Sequence, residues 1–137
     1  MANDVVARFT DGSTLKGTCL DVDPNRPKCH VRTADGAMTP VMLADLKALF
    51  FVKSTDGNPA HVESLEIEPV DPRLRGSRLV EVKFSDGERL VGFTSGFALK
   101  RAFFFLIPVD VRSNNVRVLV NAADLISIST VTPVPDE

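Results

Sequence analysis

The sequence predicts an all-β chain made of two tandem five-stranded small barrels related by internal duplication. Three observations lead there. A pattern running Val6-Ala7-Arg8-Phe9-Thr10-Asp11-Gly12-Ser13-Thr14-Leu15-Lys16-Gly17 returns as Glu81-Val82-Lys83-Phe84-Ser85-Asp86-Gly87-Glu88-Arg89-Leu90-Val91-Gly92, with Phe, Asp-Gly, Leu and the closing Gly at identical spacing. Downstream, Val41-Met42-Leu43-Ala44-Asp45-Leu46 is echoed by Val120-Asn121-Ala122-Ala123-Asp124-Leu125, in the same order. Apolar residues elsewhere recur at a period of two, between turn signals and without a helical period.

Each element follows from local chemistry. Val80, Val82 and Phe84 alternate with Glu81 and Lys83, as in a strand with one wet face. Asp11-Gly12 and Asp86-Gly87 mark hairpins, because glycine accepts the positive φ such turns require. Gly17 and Gly92, inside the returning strands, mark a sharp bend or a close backbone approach, since glycine otherwise weakens a strand. Phe103-Phe104-Phe105-Leu106-Ile107 reads as a strand buried on both sides, and Lys28-Cys29-His30-Val31 as its first-copy counterpart. Ser113-Asn114-Asn115 is a further hairpin tip, after which Val116, Val118 and Val120 alternate with Arg117, Leu119 and Asn121. Ile126-Ser127-Ile128-Ser129 closes the unit. The repeats therefore span 1–53 and 79–131, joined by a Pro-, Gly- and charge-rich linker at 54–78 in which Val62, Leu65 and Ile67 allow one more short strand. Residues 132–137 read as a disordered tail. The expected core comprises Phe9, Leu15, Val82, Phe84, Leu90, Phe104, Leu106, Val118 and Ile128.

Bulk properties exclude several classes. The 137 residues are 44 % hydrophobic and 25 % charged, the balance of a folded globular chain. The longest apolar stretch, Ala102 to Val109, falls far short of the roughly 18 residues that a membrane-spanning helix needs. Met1-Ala2-Asn3-Asp4 leads directly into strand alternation rather than into a secretory signal, so the expected location is the cytoplasm. There Cys19 and Cys29 are expected to stay reduced. A formal charge of -2 gives no general attraction to nucleic acid or to an anionic membrane, so any such binding must be local.

The block Val82-Lys83-Phe84-Ser85-Asp86-Gly87-Glu88-Arg89-Leu90-Val91-Gly92-Phe93 resembles the first signature of Sm and Sm-like proteins, and the first copy from Val6 through Asp21 is similar. Ala44-Asp45-Leu46-Lys47-Ala48-Leu49-Phe50-Phe51-Val52-Lys53 resembles a stretch of uncharacterised bacterial tandem-barrel domains. The resemblance implies an SH3-like or Sm-like barrel and association into rings or dimers through edge strands. It supplies a fold rather than a function. In Sm-like proteins an Asn after the bent strand and a basic residue with Gly near the last two strands hold RNA bases. Asn25 matches the first, whereas Ala44-Asp45 and Ala123-Asp124 stand at the second, where a carboxylate repels phosphate.

The residues offer no catalytic constellation and no phosphate loop. Cys19, Cys29, His30 and His61 include zinc-ligand types, but the cysteines lack the Cys-x₂₋₄-Cys spacing of a metal site. Neither a metal nor a cofactor is expected. Arg73, Arg75 and Arg78 form the densest basic cluster and, with Lys100 and Arg101, make the candidate contact for nucleic acid or an anionic nucleotide. The absence of Trp and Tyr, with Phe in core-like runs, leaves no stacking platform for bases. The functional expectation is a non-enzymatic protein-interaction or assembly module of a bacterial cytoplasmic protein, working through edge strands with a partner or with itself. The competing expectation is an RNA or anionic-nucleotide binder using the Arg and Lys cluster.

Overall fold

The computed structural model describes residues 3–54, 78–94, 101–110 and 112–131. They form one ten-stranded antiparallel sheet. Its strands are β1 (Asn3–Phe9), β2 (Thr14–Cys19), β3 (Lys28–Arg32), β4 (Met38–Met42), β5 (Leu46–Val52), β6 (Arg78–Phe84), β7 (Arg89–Thr94), β8 (Phe103–Pro108), β9 (Asn115–Asn121) and β10 (Leu125–Thr130). Three-residue 3-10 turns, Leu43–Asp45 and Ala122–Asp124, lead into β5 and β10. No helix among the described residues is long and apolar enough to cross a membrane. The linker segment around Val62, Leu65 and Ile67, open to a short strand or a flexible tether, and the tail at 132–137 lie outside the described residues.

The Asp-Gly signals act as read. Gly12 (φ 92°) and Gly87 (φ 94°) occupy the left-handed region. In each hairpin the Gly N–H donates to a Phe carbonyl, Phe9 at 3.0 Å and Phe84 at 2.9 Å, and the Phe N–H closes the loop on Ser13 O or Glu88 O. Asp11 and Asp86 accept from the backbone N–H two residues on, at 2.9 and 3.0 Å, so the carboxylate holds its own turn. A third turn of the same chemistry, Thr33-Ala34-Asp35-Gly36-Ala37, joins β3 to β4, with Gly36 at φ 87°. The same Asp-Gly pair marks it in the sequence, as Asp35-Gly36.

Gly17 and Gly92 are sites of close backbone approach. A Cβ on Gly17 would lie 2.2 Å from the Arg32 carbonyl oxygen, and one on Gly92 would lie 2.5 Å from that of Ile107. Cross-strand pairing is short beside both: Thr18 with Arg32 between β2 and β3, and Gly92 with Pro108 and Phe93 with Ile107 between β7 and β8.

The strand order is β10-β6-β7-β8-β9-β5-β1-β2-β3-β4. Within the first half (β1–β5) the fifth strand flanks the first, which leads through a meander to the fourth. The second half (β6–β10) has the same order. The halves join where β5 pairs with β9, matching Ala48 with Val120, Leu49 with Leu119, Phe50 with Val118 and Phe51 with Arg117. Among the described residues the buried apolar side chains form a small cluster of Leu79, Val91, Phe93 and Val109 and two larger cores that the halves share. One gathers Val80, Val82, Phe84 and Leu90 with Phe104, Leu106, Val118 and Val120, and also takes Val6, Ala48, Phe50 and Val52 from the first half. The other gathers Val5, Ala7, Cys19, Cys29, Val31, Val41 and Leu49, and takes Leu119 with Phe103 and Phe105 from the second. Every residue of β5 is buried because alternate side chains enter different cores. Strands four places apart, such as β6 and β5, would be roughly 19 Å apart in a flat sheet. Lys47 of β5 nevertheless lies 4.8 Å from the Phe84 ring centroid of β6, so the sheet curls over its face.

Of the expected core, Val82, Phe84, Leu90, Phe104, Leu106 and Val118 are buried. Phe9 and Leu15 are only partly buried, packed at the rim. Ile128 is corrected: it is 40 % exposed. It pairs with buried Val82 and so faces the core, but it lies on an edge strand with no further strand beyond it among the described residues. The strand at Phe103–Pro108 is likewise not buried throughout, since Ile107 is exposed.

Candidate functional site

The β5–β9 joint brings two strand edges of the halves together. Lys47 sits at a bulge of β5, where the register against β1 shifts between Ala48 opposite Arg8 and Leu46 opposite Phe9. The extra residue reaches the neighbouring hairpin, where its Nζ donates to Asp86 Oδ2 at 2.6 Å and Glu88 Oε1 at 2.5 Å. Only 7 % of Lys47 is exposed, and its hydrogen bond holds the Asp86 carboxyl below the ordinary carboxylate range. Buried Asn121 donates to Leu46 O at 2.9 Å and accepts from Ala123 N at 3.0 Å. Arg117 lies over the rings of Phe51 and Phe105, 4.3 and 4.5 Å from their centroids. Alternation alone assigned none of these residues a partner.

The outermost strands, β4 and β10, are the corresponding members at the far ends of the sheet. Strand β4 exposes Met38 and Met42 and carries Pro40 at its centre, which offers no N–H to an incoming strand. Strand β10, Leu-Ile-Ser-Ile-Ser-Thr, has neither proline nor charge, and it exposes Ile126 (62 %) and Ile128. Natural sheets usually blunt such an edge. Like β5, β10 is bulged against its inner neighbour, between Leu125 and Ser127, so Ile126 holds the place that Lys47 holds in β5.

A polar cluster lies where β2 leads towards β3. Asp21 accepts from His30 N at 2.9 Å, pairs with His30 Nδ1 at 2.7 Å and accepts from Cys19 Sγ at 3.5 Å. The His30 bonds pull the Asp21 carboxyl down to about 2. Cys19 and Cys29 are buried and unbridged, and the neighbouring Cys19 thiol together with burial pushes the Cys29 thiol up. A cleft of about 250 Å³ opens beside them between Leu20, Arg32 and Met38. Among the described residues no group of three or more His, Cys, Asp or Glu could hold a metal ion, and His61 lies outside them.

The residues singled out for anion or nucleic-acid contact are scattered or undescribed. Asn25 is exposed in the β2–β3 connection, with its N–H turned to Asp23 Oδ1 at 2.8 Å. Arg78 opens β6 and Arg101 precedes β8, both exposed. Arg73, Arg75 and Lys100 lie outside the described residues. Asp45 and Asp124 have a structural use: their carbonyls accept from Thr10 N at 3.0 Å and Ser85 N at 2.9 Å, tying each 3-10 turn to an Asp-Gly hairpin. The Asp124 carboxylate also accepts from Ser85 Oγ at 2.9 Å.

Compared with known proteins, residues 1–132 match the model of a family described as "Family of unknown function (DUF6982)". No curated protein and no solved structure matches the chain.

Proposed function

The chain belongs to the DUF6982 family, and we propose that it is a non-enzymatic interaction module of a bacterial cytoplasm, whose β10 edge takes up an extended segment of a protein partner. On this reading the halves are duplicated Sm-like or SH3-like small barrels. Their common strand order, matching Asp-Gly hairpins and bend glycines support duplication. The family match covers both halves together, as expected of one working unit.

The single observation that carries the proposal is β10 itself: a strand with no proline and no charge, unpaired on its outer side among the described residues, with two isoleucines exposed. Strand addition supplies main-chain hydrogen bonds for affinity and side-chain contacts for selectivity. The chain already uses this contact internally between β5 and β9.

The test is capture of partners from a lysate, with and without nuclease, by the wild type and by Ile126→Lys. Proteins that survive nuclease and are lost with Ile126→Lys support the proposal. Recovery of RNA that is unaffected by the substitution would replace it with nucleic-acid binding through the Arg and Lys cluster.

A further inference from the structure

Strands β5 and β10 hold corresponding places. Each leaves a 3-10 turn, pairs with the first strand of its half and carries a bulge one residue after its start. Among the described residues their surroundings differ on the outer side. Leu49 of β5 is fully buried because β9 lies beyond it and sets Leu119 opposite it; Ile128, at the corresponding place in β10, retains 40 % of its surface. The exposure of Ile128 thus measures the lack of a neighbouring strand among the described residues.

Repeating the internal joint head to tail would require β4 to serve as that neighbour. The chain opposes this at two places. Leu119, which faces Leu49 in the joint, corresponds to Pro40 in β4, so the ladder would lose a donor at its centre. The joint's ion pairs are also missing, because Ile126 replaces Lys47 and Ser13 replaces Glu88.

Strand β10 suits itself better. The Val131 N–H bonds inward to Leu79 O, so strand alternation turns the N–H and C=O of Ile128 outward, with those of Thr130. An antiparallel mate centred on Ile128 would set Ile128 against its own copy as a hydrogen-bonded pair and Ile126 against Thr130 at each end. The axis stands perpendicular to the sheet, so both Ile128 side chains stay on their core-facing sides and each closes the rim left open by the other. Neither strand brings a charge to the contact.

Resting on the strand-addition reading above, we infer that the segment received by the β10 edge is the β10 of a second copy, paired antiparallel across a two-fold axis through Ile128. A closed isologous contact of this kind ends at two chains.

Sedimentation velocity over a wide concentration range, with hydrogen exchange at Ile128 and Thr130, tests this on the full chain. The wild type is expected to pass from a 14.9 kDa monomer to a dimer, with both amides becoming protected as the dimer forms. Ile128→Lys is expected to weaken dimerisation by about tenfold or more, a loss of about 1.4 kcal/mol. Met42→Lys on β4 leaves it unchanged. Ile128→Cys is expected to give a disulfide-linked dimer on oxidation, since hydrogen-bonded antiparallel pairs hold their Cα atoms about 5.5 Å apart, within disulfide reach. Loss of association with Met42→Lys but not with Ile128→Lys would overturn the inference in favour of head-to-tail pairing. A monomer at all concentrations with fast-exchanging Ile128 and Thr130 would overturn the second copy but leave the open edge of the proposed function standing. A monomer with both amides protected would overturn both, because the chain would then cover its own edge.

Discussion

Two side chains, Phe84 and Lys47, mark the limits of reading single residues. Phe84 is fully buried, and its alternation with Val82 and Val80 assigned it to the core correctly. Phe84→Ala is expected to cost about 3–5 kcal/mol in chemical denaturation; no measurable loss would contradict its place in the core. Lys47 was not legible, because period-two patterning reports which face a residue occupies and not which distant carboxylates await it. Removing Asp86 and Glu88 together, as Asp86→Asn with Glu88→Gln, leaves a buried ammonium without counter-charges and is expected to cost about 2 kcal/mol, reduced by the partial exposure of both acids. Lys47→Met, which removes the buried charge and keeps the chain length, is expected to cost less than that double variant in the same urea titration. Asp21 sets a pH dependence. Its carboxyl is lowered from 3.8 to about 2 in the folded protein, so its contribution to stability is complete above about pH 4 and fades as the pH falls towards 2. The group is 42 % exposed, which keeps this effect small, and Asp21→Asn is expected to remove it from the acid limb of stability measured against pH.

At the scale of the strand, hairpins and bends were readable because each rests on local chemistry. Asp-Gly announces its own turn, and a glycine within a strand announces a close approach. Gly92→Ala is expected to destabilise the protein by about 1–3 kcal/mol, because its Cβ would meet the backbone oxygen of Ile107, which has little room to move. Gly17→Ala is expected to act alike against Arg32, and a thermal melt indistinguishable from wild type in either variant would contradict this contact. The misplacement of Ile128 has the opposite cause. Its face was read correctly, but whether another strand lies beyond depends on sheet order, which no local pattern carries. For the same reason the β5–β9 pairing, between segments far apart in sequence, was invisible before the fold was known.

Across the whole molecule, each half completes its core with residues of the other. Val6, Ala48, Phe50 and Val52 enter the core of the second half, while Leu119, Phe103 and Phe105 reach that of the first. One cooperative unfolding transition is therefore expected, with Phe50→Ala lowering the stability of both halves together; two separate transitions by calorimetry would show the cores to be independent. Little nucleic-acid affinity is expected at physiological salt, since the net charge is -2 and phosphate contacts dominate such binding. Salt-resistant anisotropy changes with uridine-rich oligomers, abolished by Asn25→Ala, would reverse that expectation. The shared architecture also has a consequence for synthesis. Strand β5 acquires its neighbour β9 only after roughly seventy more residues have been added, a wait of about 4–14 s at about 5–20 residues per second. During that interval the nascent first half exposes Ala48, Phe50 and Val52 beside an unsatisfied strand edge, so the growing chain is most prone to aggregate while the ribosome is still making the strand that shields it.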